Sequence, residues 1–241
     1  MYLRVYARPA DSLAITSYPQ EMLSWLLDAV FPKASLTGGE GEWITMEERA
    51  QLRSFPVVET AELLRAHGIH HLDRLTAGSD YRRCPLLKDA IWTFKFRRIP
   101  ALGGELAKVM LEAHCEETKE TKESKERSVS CALVSIPLHW TRRFWRGFNQ
   151  SDILARIVSG HTHIPLEPIL RRIRPTGFQS HRARKERLMA LEGAFRVVGP
   201  VPERVILIDD VATTGATLDA SAKTLKEAGA KWVEGWVVAR G

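Results

Sequence analysis

No stretch of the 241 residues approaches the roughly 18–20 consecutive apolar residues that a membrane span requires. The opening stretch MYLRVYARPADSLAITS also lacks the continuous apolar centre of a secretion signal. Cysteine is scarce: Cys84, Cys115 and Cys131 stand far apart with no C-x-x-C pair. That excludes both a disulfide framework and a cysteine zinc finger, and it fits three reduced thiols. His67, His70 and His71 lie close together, but no matching ligand cluster accompanies them, so no zinc is expected. The phosphate-loop pattern G-x-x-x-x-G-K-[ST] is missing as well. These absences leave a soluble, cytoplasmic protein without a metal site of its own.

What is present is enough apolar material for a core, at 44% of the residues, and a length that suits one large or two small domains. The net charge is +6 and the isoelectric point is near 9.4. The positive excess gathers between Arg142 and Arg187, in TRRFWRGFNQ and LRRIRPTGFQSHRARKER. A clustered positive field attracts phosphate, on a nucleotide or on a nucleic-acid backbone; the alternative is an ordinary solvated basic face.

Hydrophobic periodicity predicts a leading helix over 20–31, ended by Pro32. Thr45 and Glu48 form a capping-box pattern that opens a short helix through Leu52, and TAELLRAHG reads as another short helix stopped by Gly68. Leu87, Ile91 and Phe94 share one helical face up to the break at Pro100, and Leu102, Leu106, Val109, Met110 and Ala113 share a second. The segment 116–127, EETKETKESKER, has no apolar side chain and reads as an exposed helix extension or a flexible loop. Downstream, CALVSIPLH, GAFRVV, RVILID and WVEGWVVAR read as strands. Helices ending at Ile157 and spanning ATLDASAKTLKEAG separate them. Alternation of this kind implies an α/β domain with a mainly parallel sheet.

The chemistry concentrates in VILIDDVATTGAT. A run suited to burial on both faces ends in Asp209 and Asp210, whose charges repel each other, so packing alone is a poor reason for the pair. The following turn offers the hydroxyls of Thr213, Thr214 and Thr217, and Gly215 lets the backbone bend tightly and approach a ligand. Successive N–H groups at a helix N-terminus make a phosphate site, and ligands of open α/β sheets bind beyond the carboxyl ends of the strands. A diol beside a phosphate, as in ribose 5-phosphate, satisfies both halves. A Walker B strand needs the phosphate loop that is missing, and a receiver domain carries its acidic pair near its start. A purely structural turn remains an alternative, since Ser, Thr and Gly are common in turns.

In this order the residues resemble the signature of type I phosphoribosyltransferases, which bind phosphoribosyl pyrophosphate (PRPP). The resemblance implies that Asp209 and Asp210 are the catalytic pair and bind the ribose 2′- and 3′-hydroxyls. Val211 and the run Ala212, Thr213, Thr214, Gly215, Ala216, Thr217 would then receive the 5′-phosphate. SIPLHWTRRFWRGFNQSDILA, RIRPTGFQSHRARKERLMALEGAFRV and LLKDAIWTFKFRRIPALGGELAKVM resemble the ComF family, competence-associated members of that fold. This likeness spans about residues 81–241.

It implies a type I phosphoribosyltransferase fold over 81–241, preceded by a small, mainly helical segment, 1–80. That segment lacks the four cysteines of the family's usual zinc module. Ala190 stands where the family tends to have Asn.

The likeness also implies a pyrophosphate site at Pro137, Leu138, Arg142, Arg143 and Arg146, and a mobile hood from Arg174 to Arg187 that includes Gln179. Substrate-bound Mg²⁺ would bridge pyrophosphate and ribose oxygens. On this view the chain transfers phosphoribose from PRPP to a nucleobase or other nucleophile. The alternative is a non-catalytic nucleotide-binding accessory protein of DNA uptake, whose basic segments contact single-stranded DNA or a helicase partner. The residues reveal neither the acceptor nor an array of aromatics for base stacking. Phe148 and Phe178 are read as core packing.

Overall fold

The computed structural model describes residues 35–39, 42–52, 55–97, 99–120, 130–138, 147–174 and 191–241. The leading helix expected over 20–31 lies outside them, as do Arg142, Arg143, Arg146, Phe178, Gln179 and Arg187.

Thr45 caps α1 (Met46–Gln51) by the reciprocal hydrogen bonds that the Thr-x-x-Glu pattern predicts: its hydroxyl accepts from the Glu48 N–H, and the Glu48 carboxylate accepts from the Thr45 N–H. The chain then forms β1 (Val57–Thr60), α2 (Ala61–Ala66) and β2 (Arg74–Asp80). Two amphipathic helices follow, α3 (Pro85–Phe96) and α4 (Leu102–Glu120), and then β3 (Cys131–Ser135) and α5 (Gln150–Thr162). β4 (Leu170–Arg172) and β5 (Phe195–Val197) pair with each other. The chain ends in β6 (Arg204–Ala212), α6 (Ala216–Glu227) and β7 (Trp232–Arg240).

Five strands form one sheet in the order β1-β2-β7-β6-β3, parallel throughout except for the antiparallel β1–β2 edge. The expected α/β class is therefore present, and the core residues expected on α3 and α4 are all buried. Two findings depart from the expected pattern. GAFRVV does form a strand, but outside the main sheet, in an antiparallel ribbon with Leu170–Arg172. The sheet also takes β1 and β2 from before residue 81. β2, with the sequence RLTAGSD, carries turn-like residues, yet its Leu75, Thr76, Ala77, Gly78 and Ser79 are buried. Small residues are needed there because α4 crosses closely: a Cβ at Gly78 would stand 2.9 Å from the carbonyl oxygens of both Val109 and Val238.

The period-2 alternation of β6 divides the core in two. Ile206 and Ile208 pack with Phe94 of α3, Leu106 of α4 and Leu154 and Val158 of α5. Val205 and Leu207 pack with Leu64 of α2, Leu218 and Leu225 of α6 and Phe195 of the ribbon. The helices that follow the neighbouring parallel strands β3 and β6 thus leave on opposite faces. Their connections diverge and open a crevice beyond the strand ends, where open α/β sheets bind ligands. Among the described residues, no helix is long and apolar enough to cross a membrane.

Gly78→Ala places a methyl against two backbone carbonyls that cannot rotate away. It should cost about 2 kcal/mol, seen as a fall of about 4–8 °C in the thermal midpoint. An unchanged midpoint would show that α4 can withdraw from β2.

Candidate functional site

Asp209 and Asp210 are the sixth and seventh residues of β6, so their side chains leave on opposite faces. Asp210 shares the side of Ile206 and Ile208. It is 6% exposed, and Lys95 Nζ of α3 lies 2.8 Å from its Oδ1. Tyr81 stands nearby, its hydroxyl held well above the ordinary tyrosine range by burial and by the Asp210 charge. Asp209 is partly open to solvent. Its Oδ1 accepts from Ser151 Oγ, at the start of α5, at 2.8 Å and from the Asp210 N–H at 2.9 Å. Burial and the Asp210 charge push the Asp209 carboxyl up to about 7, against the opposing pull of Ser151, Lys95 and the Asp210 N–H.

Beyond Asp210 the strand continues through Val211 and Ala212 and then turns into α6 through Thr213–Gly215. Gly215 sits at φ +73°, in the left-handed region, and a Cβ there would stand 2.3 Å from Ile69 Cδ1. Both backbone and space therefore demand glycine. Ile69 is held under the turn because Asp219, in the first turn of α6, accepts from the His70 and His71 N–H groups at 2.8 and 2.6 Å. The other side of the turn is fixed by Arg240, the last residue of β7. Its Nη1 donates to the Ala212 carbonyl at 2.9 Å and to the Thr213 carbonyl, while its Nε donates to Glu59 of β1 at 2.8 Å. His67 Nδ1 lies 2.8 Å from the same Glu59 carboxylate. Two peptide planes of the turn are thus set by an ion pair between chain segments 181 residues apart.

The result is a small, shallow depression, lined by Asp209 and by Val211–Leu218. Thr213 is exposed, Thr214 and Thr217 are half-buried, and the N-terminus of α6 opens at Ala216. This gives an anion cradle beside one partly open carboxylate. A larger depression lies elsewhere, between α1 and α4 around Trp43 and the Arg49–Glu105 ion pair. Its lining carries two acids, Glu42 and Glu105, and its one cation, Arg49, is paired with Glu105, which suits an anion poorly, so the chemistry favours the smaller one.

Of the residues the sequence singled out, Asp209 and Val211–Thr217 come together around the depression. Asp210 is adjacent in sequence but does not line it. Pro137 and Leu138 follow the end of β3, the strand that pairs with β6, and are half-buried. Arg174 is exposed beyond β4, against Gly193. Phe148 is half-buried, its ring centroid 5.6 Å from that of Phe94. Lys95, Ser151, Tyr81, Arg240 and Glu59 were not anticipated. Lys95 had a legible signal, since it lies four residues after Ile91 at the border of an apolar helix face. Among the described residues, no three His, Cys, Asp or Glu side chains gather as a metal site.

Comparison with known proteins gives relatives along most of the chain. It is 34% identical over 170 residues to the DNA utilization protein YhgH of Salmonella typhimurium, covering 69% of this chain and 72% of that protein. It is 32% identical over 155 residues to competence protein F of Haemophilus influenzae, covering 62% and 66%. Over 99 residues it is 39% identical to competence protein ComFC of Bacillus subtilis, covering 40% and 39%. No protein-family model matches the chain.

Folding raises Asp209 above its unfolded-state value, so the folded chain keeps that proton longer. The residue's stability contribution is full below about pH 4 and is lost as pH rises toward about 7. Asp209→Asn keeps an acceptor for Ser151 and removes the charge. Above pH 7 it should be more stable than the parent by about 1–2 kcal/mol, with the difference vanishing near pH 4, in urea melts across that range. Parallel curves at every pH would refute the assignment.

Proposed function

The chain belongs to the ComF family of competence and DNA-utilization proteins, and from that premise we propose that it binds PRPP and transfers its phosphoribosyl group. One observation carries the reading: a glycine-bent cradle of backbone donors adjoins a partly open carboxylate at the crevice where the sheet's connections diverge. The cradle suits a 5′-phosphate, and Asp209 suits a ribose hydroxyl, with Asp210 behind it on the other face of β6, paired to Lys95. In the transfer, the bond from C1 to the pyrophosphate oxygen breaks and the pyrophosphate leaves with its electron pair. A bond from C1 to the incoming nucleophile forms, and the nucleophile gives up its proton. Charge develops at C1 as in glycoside hydrolysis.

The leaving pyrophosphate needs cations. On this reading Arg142, Arg143 and Arg146 supply them beside the Pro137–Leu138 turn, and Arg174, Gln179 and Arg187 close over the site as a hood that keeps out water. Mg²⁺ neutralises pyrophosphate when bound. With Asp210 tied to Lys95, the cradle lacks the carboxylates of a protein-built site, which fits an ion carried by the substrate's phosphates and water. Such a substrate, like its nucleobase acceptors, is cytoplasmic.

A second reading rests on α3. Trp92 and Phe96 are 53% and 48% exposed, and their ring centroids lie 5.5 Å apart. Around them lie exposed Lys88 and Arg97, together with one acid, Asp89. Nearby on the chain, Arg83 stands over the Phe55 ring. Aromatics interleaved with cations suit stacked bases along a phosphate backbone, as a DNA-uptake accessory protein that hands single-stranded DNA to a helicase would need.

Calorimetry with PRPP and Mg²⁺, followed by an acceptor screen for released pyrophosphate, tests the first reading. The parent should bind, and Gly215→Val should bind at least about tenfold more weakly, since the turn must unbend to accommodate the side chain. Absence of heat from the folded parent would sink it. For the second reading, the double change Trp92→Ala and Phe96→Ala should weaken oligothymidylate binding by about tenfold or more while leaving PRPP binding in place. The parent's affinity should fall steeply with salt. Equal DNA affinity in both proteins would remove the stacking surface.

A further inference from the structure

Two adjacent acids beside an anion cradle pose an electrostatic conflict, because they repel the ligand that the cradle attracts. The Lys95–Asp210 ion pair answers it. Lys95 is half-buried on α3, between buried Phe94 and exposed Phe96, and its side chain is 19% exposed against 9% for Asp210. A lysine so enclosed is tolerated when an opposite charge pairs with it, and among the described residues Asp210 is its ionic partner.

We propose that Lys95 sets the charge of the acidic pair. Its ammonium offsets charge at Asp210, so that a sugar phosphate meets less net negative charge at the acidic pair than it would without the lysine. This inference rests on the sugar-phosphate reading and deepens it: the ligand class is an anionic phosphosugar whose hydroxyls approach acids already partly neutralised by the protein.

The surrounding groups are consistent with that role. Asp210 is faced by Lys95 from α3, by Tyr81 from the turn after β2 and by Asp209 from its own strand; Ser151 of α5 donates to Asp209 and carries no charge. Lys95 is thus the cation of the cluster among the described residues. It contacts Asp210 through Oδ1, at 2.8 Å. Because Asp209 and Asp210 leave β6 on opposite faces, a cation from α3 reaches Asp210 without blocking the depression that Asp209 lines. Lys95 is a positioning residue and is not assigned contact with the reacting atoms.

The test compares the parent, Lys95→Met and Lys95→Arg by calorimetry with PRPP–Mg²⁺ at pH 6, 7 and 8. Lys95→Met should bind about tenfold more weakly at pH 7, with a larger loss at pH 8 than at pH 6, because protonation of Asp209 at lower pH replaces the missing cation. Lys95→Arg should return affinity to within about threefold of the parent. Equal affinity and an equal pH profile in Lys95→Met would overturn the proposal. So would failure of Lys95→Arg to rescue, which marks a packing role. If Lys95→Met does not fold, Lys95→Gln takes its place.

Carboxyl carbon resonances of Asp209 and Asp210, followed by nuclear magnetic resonance titration without ligand, separate this inference from the reading it rests on. In the neutral variant Asp209 should titrate at higher pH than in the parent, because the Lys95 charge that opposes its rise is gone, whether or not PRPP binds. Unshifted titration overturns the Lys95 assignment. Shifted titration with no PRPP binding by the parent overturns the ligand assignment alone.

Discussion

Asp209 and Asp210 lie near the end of a strand, after four residues that are buried, so their charges face water from few directions. The fold surrounds them with donors. Ser151 Oγ and the Asp210 N–H serve Asp209, and Lys95 serves Asp210. These donors come from three elements, α5, β6 and α3, that meet only when the sheet is assembled. The acidic pair is therefore a product of tertiary structure as much as of sequence. Burial still wins at Asp209, which remains less acidic than an ordinary carboxyl.

The turn that follows is held with comparable care from both sides. Asp219 straps Ile69–His71 to the start of α6, and Ile69 in turn fills the space that a side chain at Gly215 would need. Opposite, Arg240 commits the Ala212 and Thr213 carbonyls and is itself anchored by Glu59. Glu59 belongs to β1, the one antiparallel strand, at the far edge of the sheet. The edge strand thus braces the turn before α6 as well as extending the core. A turn whose peptide planes are fixed before the ligand arrives loses less entropy on binding, the general advantage of preorganisation.

Legibility in the sequence follows the range of the interactions. The capping box at Thr45 and Glu48, the buried faces of α3 and α4, and the strand–acid–glycine–helix order at Asp209–Thr217 were readable because each depends on neighbours within a few turns of chain. β2 was not readable. Thr76, Gly78 and Ser79 have turn chemistry, and only the close passage of α4, some thirty residues later, makes them interior. Arg240 and Glu59 were equally hidden, since nothing local marks a charged pair that forms across 181 residues. The exposed Trp92 and Phe96 stand one turn apart among residues that alternate with core positions. Sequence alone could not tell which aromatics of that helix face outward; Phe94 is fully buried, two residues from each.

That geometry makes α3 a helix with two assignments. Its inner face supplies Phe94 to the core and Lys95 to the acids, and its outer face presents Trp92 and Phe96. Phe96 is the immediate neighbour of Lys95, so a partner that shifted the last turn of α3 would also shift the ammonium beside Asp210. The two functional readings are then not exclusive. A displacement of about 1 Å at an ion pair of 2.8 Å changes its strength appreciably in a partly buried setting. By the reciprocity of coupled equilibria, a ligand that depended on that pair would alter the outer face in return. Occupancy of the sugar-phosphate site and engagement of the aromatic face would be linked through one turn of helix, without any rearrangement of the sheet.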